Sequence, residues 1–197
     1  MSYCAFAAMS LLCFSCNNGS GDSTKDAKDS NAVKMDSSGT AEHATPTVPA
    51  SVSKDDATFV VNAASGGMME VQLGQLAGQK ASARDVKDFG AMMVKDHTMG
   101  GDKLKTIAAG KNLTVPDSLS TDMQKEMADL QTKNGKDFDK AYMSMMVDDH
   151  KKDIKEFEDE AKNGSDADIR GFADSSLHML RTHLDAAEKC HNMMKKM

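Results

Sequence analysis

The sequence predicts an all-α fold, four long helices in one bundle, and three observations carry that prediction. The prolines are Pro46, Pro49 and Pro116, so residues 50–115 and 117–197 hold none. Sandwiches and barrels need turn signals every ~8–12 residues, and those are missing. The proline-free stretches are rich in Ala, Met, Leu, Lys, Asp and Glu, which favour helix. Apolar side chains recur within them at helical period. A length of 197 residues allows one domain, or one domain plus a tail.

The N-terminal element is an address. Residues 1–16 carry no charge, and Tyr3 to Ser15 form an apolar run too short to span a bilayer. It fits the apolar core of a secretory signal, without the Lys or Arg that ordinarily precedes one. The run ends in Cys13-Phe14-Ser15-Cys16. That ending resembles a bacterial lipobox, which implies a lipoprotein signal over 1–16 and acyl chains on Cys16. Each buried methylene contributes ~0.8 kcal/mol, so several chains anchor firmly to a membrane. Asn17 rather than Asp after the cysteine favours, by analogy, the outer membrane facing the periplasm. Residues 17–52 hold five acids, three bases and few large apolar side chains. Such a stretch buries too little to offset its ordering entropy, so a disordered tether is expected, with His43 solvated.

The folded part is expected over 53–197. Its first helix should run 54–80, with Ser53 as N-cap and Asp55 and Asp56 in an acidic first turn. Phe59, Ala63, Gly66, Glu70, Leu73 and Ala77 form its stripe. The second, over 83–110, opens on Ser82-Ala83-Arg84-Asp85, which reads as a capping box. Its stripe is Val86, Phe89, Met93, His97, Gly100, Leu104 and Ile107. A loop with Pro116 leads to a short extra helix near 119–132. The third long helix spans 136–162, with Phe138, Tyr142, Met146, His150, Ile154 and Phe157 on one side. Asn163-Gly164 ends it, and Ser165 caps a fourth over 166–195. That helix shows Ile169, Phe172, Leu177, Leu180, His183, Ala187 and Cys190.

Met92-Met93-Val94-Lys95-Asp96-His97 recurs as Met145-Met146-Val147-Asp148-Asp149-His150, which suggests two related helical hairpins. Links at 81–82 and 163–165 are short enough to force antiparallel pairs. The 111–135 connection is long enough to cross a bundle.

Each long helix carries one ionisable residue midway along its apolar stripe: Glu70, His97, His150 and His183. Midpoints of antiparallel helices meet at one level, and buried ionisable groups need partners. Three imidazoles and a carboxylate suit one divalent ion such as Zn, Fe or Mn. The alternative is a metal-free, hydrogen-bonded polar layer that sets helix register. Asp96 and Asp149 each precede a histidine and are candidates to orient the ligands. Cys190, Met193, Met194 and Met197 beside His191 would suit Cu(I), although Met is also an ordinary core filler. The net charge of -6 and the absence of a Lys/Arg stripe argue against a nucleic-acid partner. Neither a nucleophilic triad nor a phosphate loop is legible.

Several segments resemble one bacterial family, domain of unknown function 4142. They are Gly66-Gly67-Met68-Met69-Glu70-Val71, Val86-Lys87-Asp88-Phe89, Met93-Val94-Lys95-Asp96-His97 and Leu113-Thr114-Val115-Pro116. Phe138-Asp139-Lys140-Ala141-Tyr142, Asp149-His150 and Leu180-Arg181-Thr182-His183-Leu184 complete the match, over about 57–190. The resemblance implies a ferritin-like four-helix bundle, exported and associated with the outer membrane, and it supplies no established activity. The family pattern includes the residues at Glu70, His97, His150 and His183. Ferritin-like di-iron enzymes use Glu-x-x-His motifs, and the reading that this chain has none leans the expectation away from ferroxidase activity.

Overall fold

Six helices and no strand make up the described residues, 22–37 and 52–196, of a computed structural model. They are α1 (Ser23–Ser37), α2 (Lys54–Lys80), α3 (Arg84–Gly110), α4 (Thr121–Gln131), α5 (Gly135–Asn163) and α6 (Ala167–Lys195). The all-α reading therefore holds, with the four long helices and the short one within a few residues of expectation.

The caps differ from local expectation in an instructive way. Ser53 forms the expected N-cap of α2, accepting from the Asp56 amide, while Asp56 accepts from the Ser53 amide. Ser82 does not build a capping box for α3: its amide and hydroxyl, with the Ala83 amide, donate to Asp139 at the start of α5. Ser165 does not cap α6 either. Asp166 does, and the amides of Ser165 and Asp166 donate to Asp56. Each hairpin's first helix thus supplies a buried carboxylate to the turn of the other hairpin. Orphan amide donors take the strongest available acceptor, and an ionised carboxylate outcompetes a hydroxyl.

This reciprocity also corrects the repeat. The segments at 92–97 and 145–150 lie on α3 and α5, which are the second helix of one hairpin and the first of the other. The correspondence between hairpins instead runs at an offset of 83 (56 to 139), pairing Asp56 with Asp139, Ser82 with Ser165, and Phe89 with Phe172. Glu70 then pairs with Asp153.

Packing follows from the hairpins. α2 lies along α3 and α5 along α6, and the pairs meet through α2–α5 and α3–α6. Two apolar clusters result. One gathers Leu73, Phe89, Met93, Phe138, Tyr142 and Met146; the other gathers Phe59, Val60, Leu104, Phe157, Phe172 and Leu180. The four stripe polar residues belong to neither; His97, His150 and His183 fall in sequence between the contributions of their helices to the two clusters, and Glu70 lies at the inner edge of one, between Met69 and Leu73.

The expected tether needs a correction. Residues 23–37 of it form α1, which Asp22 caps and which docks against α2 and the 112–117 loop. It buries little besides Ala27 and Asn31. Its hold is polar: Asn31 donates to the Thr114 carbonyl at 2.9 Å and accepts from the Thr114 amide at 2.7 Å. Apolar content alone underrates a helix whose partner is a loop with unpaired backbone groups. The signal at 1–16, Cys16 and His43 lie outside the described residues. No helix among the described residues is long and apolar enough to cross a membrane.

Candidate metal centre

Helical period brings Glu70 (α2), His97 (α3), His150 (α5) and His183 (α6) together in the interior, and all four are buried. His97 Nδ1 lies 2.9 Å from Glu70 Oε2. His150 Nε2 lies 3.5 Å from Glu70 Oε1 and 3.3 Å from His183 Nδ1. One ring nitrogen from each histidine falls within 4.8 Å of the others.

The outer hydrogen bonds determine what the inner atoms present. His150 Nδ1 donates to the Met146 carbonyl at 2.9 Å, which leaves a lone pair on Nε2. His183 Nε2 donates to Asp96 Oδ2 at 3.0 Å, which leaves a lone pair on Nδ1. The His150 assignment follows from the bonding pattern, since a carbonyl oxygen can only accept, and the His183 assignment takes the Asp96 oxygen as the acceptor. Two lone pairs then face one another, with no proton between them. Glu70 Oε1 and His97 Nε2 are buried without a hydrogen-bond partner. Native interiors seldom leave such atoms unpaired, and a cation would satisfy the bare acceptors among them once His97 gave up its proton. Asp96 thus holds a histidine of the cluster, although that histidine is on α6 rather than its own neighbour. Asp149 hydrogen-bonds none of the site histidines and lines a cleft beside Glu70.

Electrostatics divide the four groups. Burial works to raise the Glu70 pKa, but His97, and then His150 and His183, override it and hold the carboxyl below its ordinary range. Burial works to lower His97, and Glu70 overrides it to hold that ring above the ordinary value. His150 is lowered chiefly by burial, and His183 is pushed down to about 4 by burial against the opposing pull of Asp96. Without metal, Glu70 and His97 form an ion pair while the other two rings stay neutral.

Sequence reasoning missed Asp153. It lines, with Glu70 and His97, a cavity of about 40 Å³ that also meets Gly67 and Gly100, which is room for a water or an ion. The offset of 83 was the available signal, since it equates Asp153 with Glu70. The chain does contain one Glu-x-x-His, Glu188 to His191. Glu188 pairs with Lys151 at 2.8 Å, roughly half exposed, and neither residue joins the cluster. Cys190 and Met194 are buried in an apolar cluster with Met193 packed against it, which is core filling; Met197 lies outside the described residues.

Burial, then Glu70 and other acids, raises Asp149 to about 7 and Asp153 to about 8; burial, then Asp56, raises Glu160 to about 7. Unfolded carboxyls are ionised above pH ~5. The native state therefore binds more protons between pH ~6.5 and 8, and stability falls as pH rises through that window. His97 acts with the same sign, because its stabilisation is lost as pH rises through its raised pKa. His150 and His183, being lowered, oppose this only below pH ~6.5. The metal-free protein is expected to lose stability on the order of 1–2 kcal/mol from pH 6.5 to 8. Thermal melts across that range check it, and a rising midpoint would contradict the charge assignment.

A family model described as Domain of unknown function (DUF4142) matches residues 41–190. No curated protein and no solved structure matches the chain.

Proposed function

The chain belongs to that family, whose description assigns no activity, and we propose from its own residues that it binds one divalent metal ion through Glu70, His97, His150 and His183. The observation that carries this reading is the 3.3 Å approach of His150 Nε2 to His183 Nδ1, both left as bare acceptors by the bonds to Met146 and Asp96. A metal-free register layer would place a donor opposite an acceptor; here two acceptors meet. Three imidazoles and one carboxylate suit Zn²⁺, Fe²⁺ or Mn²⁺. Binding displaces the proton that His97 holds against Glu70, so affinity rises with pH.

The wider reading is a ferritin-like four-helix bundle, exported and anchored by acyl chains at Cys16, on the outer membrane facing the periplasm. The uncharged apolar run ahead of Cys16 and the ending Ser15-Cys16 support it. The acidic balance gives no reason to invoke nucleic acid. The role is binding rather than oxidase chemistry, because the Glu-x-x-His of this chain lies away from the cluster.

Metal analysis of the full chain tests the central claim. Wild type should retain about one equivalent of Zn²⁺ after dialysis, and the Glu70→Ala/His97→Ala protein essentially none. Equal, negligible metal in both, with no thermal shift on adding Zn²⁺, Fe²⁺ or Mn²⁺, would establish the register layer instead.

A further inference from the structure

We propose that Glu160 and Asp56 make a proton-operated latch on the turn between α5 and α6, fastened while the Glu160 carboxyl is protonated and loosened as pH rises. It is separate from the histidine centre and stands whether or not that centre takes a metal.

The two hairpin turns are built alike, and one difference between them points to the latch. At one, Asp139 accepts from the Ser82 amide and hydroxyl and the Ala83 amide; at the other, Asp56 accepts from the Ser165 and Asp166 amides at 2.9 Å each. The offset of 83 sets Ala77 against Glu160 and Ala81 against Gly164. Gly164 (φ −57°, ψ 147°) shares the backbone conformation of Ala81 (φ −64°, ψ 141°), so the chain path does not call for glycine. A Cβ on Gly164 would fall on Glu160 Oε1, with the carboxyl carbon and backbone oxygen of Glu160 at 2.7 Å. One turn thus pairs two alanines, and the other pairs an acid with the glycine that makes room for it.

That acid is turned inward. Glu160 is 7% exposed, and no N–H or O–H of the described residues reaches its buried Oε1. Its carboxyl is in hydrogen-bonding contact with Asp56, itself 1% exposed. Two carboxylates cannot share such a place, so one keeps a proton. Both Asp56 oxygens already accept backbone amides, which leaves the proton on Glu160, to be donated to Asp56. The other charges nearby do not replace it. Asp159 on α5 adds negative charge, Arg170 on α6 donates to the Gly164 and Ser165 carbonyls, and Lys111 at the end of α3 is paired with Asp166 and Asp168. Burial first, and then Asp56, accordingly pushes Glu160 up to about 7. An opened turn returns the carboxyl to water and to its ordinary value of 4.5. The closed turn is therefore favoured in full below that value, loses up to about tenfold per pH unit as pH rises towards 7, and changes little above it. Opening frees the Ser165 and Asp166 amides, and with them the Asp166 cap of α6 and its pair with Lys111.

Hydrogen exchange of the full chain between pH ~5 and ~7.5, corrected for the intrinsic pH dependence of exchange, tests the latch. Protection of the Ser165 and Asp166 amides should fall at least about tenfold relative to the Ser82 and Ala83 amides, the reference turn in the same molecule. In Glu160→Gln the side-chain amide still donates to Asp56 but no longer titrates, so that difference should vanish. Equal behaviour of the two turns in wild type, or a pH-dependent difference that persists in Glu160→Gln, overturns the proposal. The wild-type comparison decides by itself if Glu160→Gln folds poorly.

Discussion

Replacing His150 by leucine is expected to raise the unfolding midpoint of the metal-free protein while weakening Zn²⁺ binding at least about 100-fold, some 3 kcal/mol of affinity. The two effects share one cause. His150 is fully buried, and its Nε2 lone pair faces the His183 Nδ1 lone pair and a Glu70 oxygen. That arrangement is unfavourable without a cation, because acceptors confront one another in a region of low dielectric. Leucine has comparable size, is the better helix former, and would pack against Phe89 and the Met146 end of the apolar cluster. The lost bond to the Met146 carbonyl matters little, since that oxygen also accepts within the helix. A gain of about 1 kcal/mol is expected from removing a poorly satisfied buried polar group. Polar groups kept at a cost to stability mark function. If the midpoint falls by several degrees and Zn²⁺ affinity is unaltered, His150 is a packing residue and the metal assignment fails.

The level meeting of Glu70, His97, His150 and His183 was legible in the sequence because helical period and antiparallel pairing place midpoints opposite one another whatever the details of packing. The bonding that gives the centre its character was not. Asp96 lies next to His97 in the chain, so local reading assigns it there, yet its carboxylate holds His183 across the α3–α6 contact. The caps were misread for the same reason. Ser82 and Ser165 look like N-caps to any local rule, but the acceptors that win, Asp139 and Asp56, arrive from the other hairpin. Period is a property of one helix, whereas a hydrogen bond between hairpins depends on topology. α1 makes the same point: its sequence has almost no apolar face, and what holds it is the Asn31 pair of bonds to Thr114, far along the chain.

Gly74→Ala is expected to destabilise the fold by about 2–4 kcal/mol, although the same change at an open helical position should stabilise it. A Cβ on Gly74 would come within 2.5 Å of the Gly90 carbonyl oxygen and 3.2 Å of Met93 Cβ. A Cβ on Gly90 would meet Ala77 Cβ and the Gly74 oxygen at 2.8 Å each. The obstacle is backbone on both sides, so no rotamer change relieves it; α2 and α3 must separate. Separation would loosen the Leu73–Phe89–Met93 cluster and shift Glu70 relative to His97, which are held 2.9 Å apart across the same pair of helices. A defect about one turn from the site should therefore reduce metal affinity as well as stability, in contrast to the opposed effects at His150. Gly171 supplies the control: a Cβ there meets nothing within 4 Å, and Gly171→Ala should gain about 0.5–1 kcal/mol from helix propensity alone. Denaturant melts of both variants check the pair. Equal stabilisation by the two alanines would show that α2 and α3 are not in this close contact, and the geometry derived for Glu70 and His97 would fall with it.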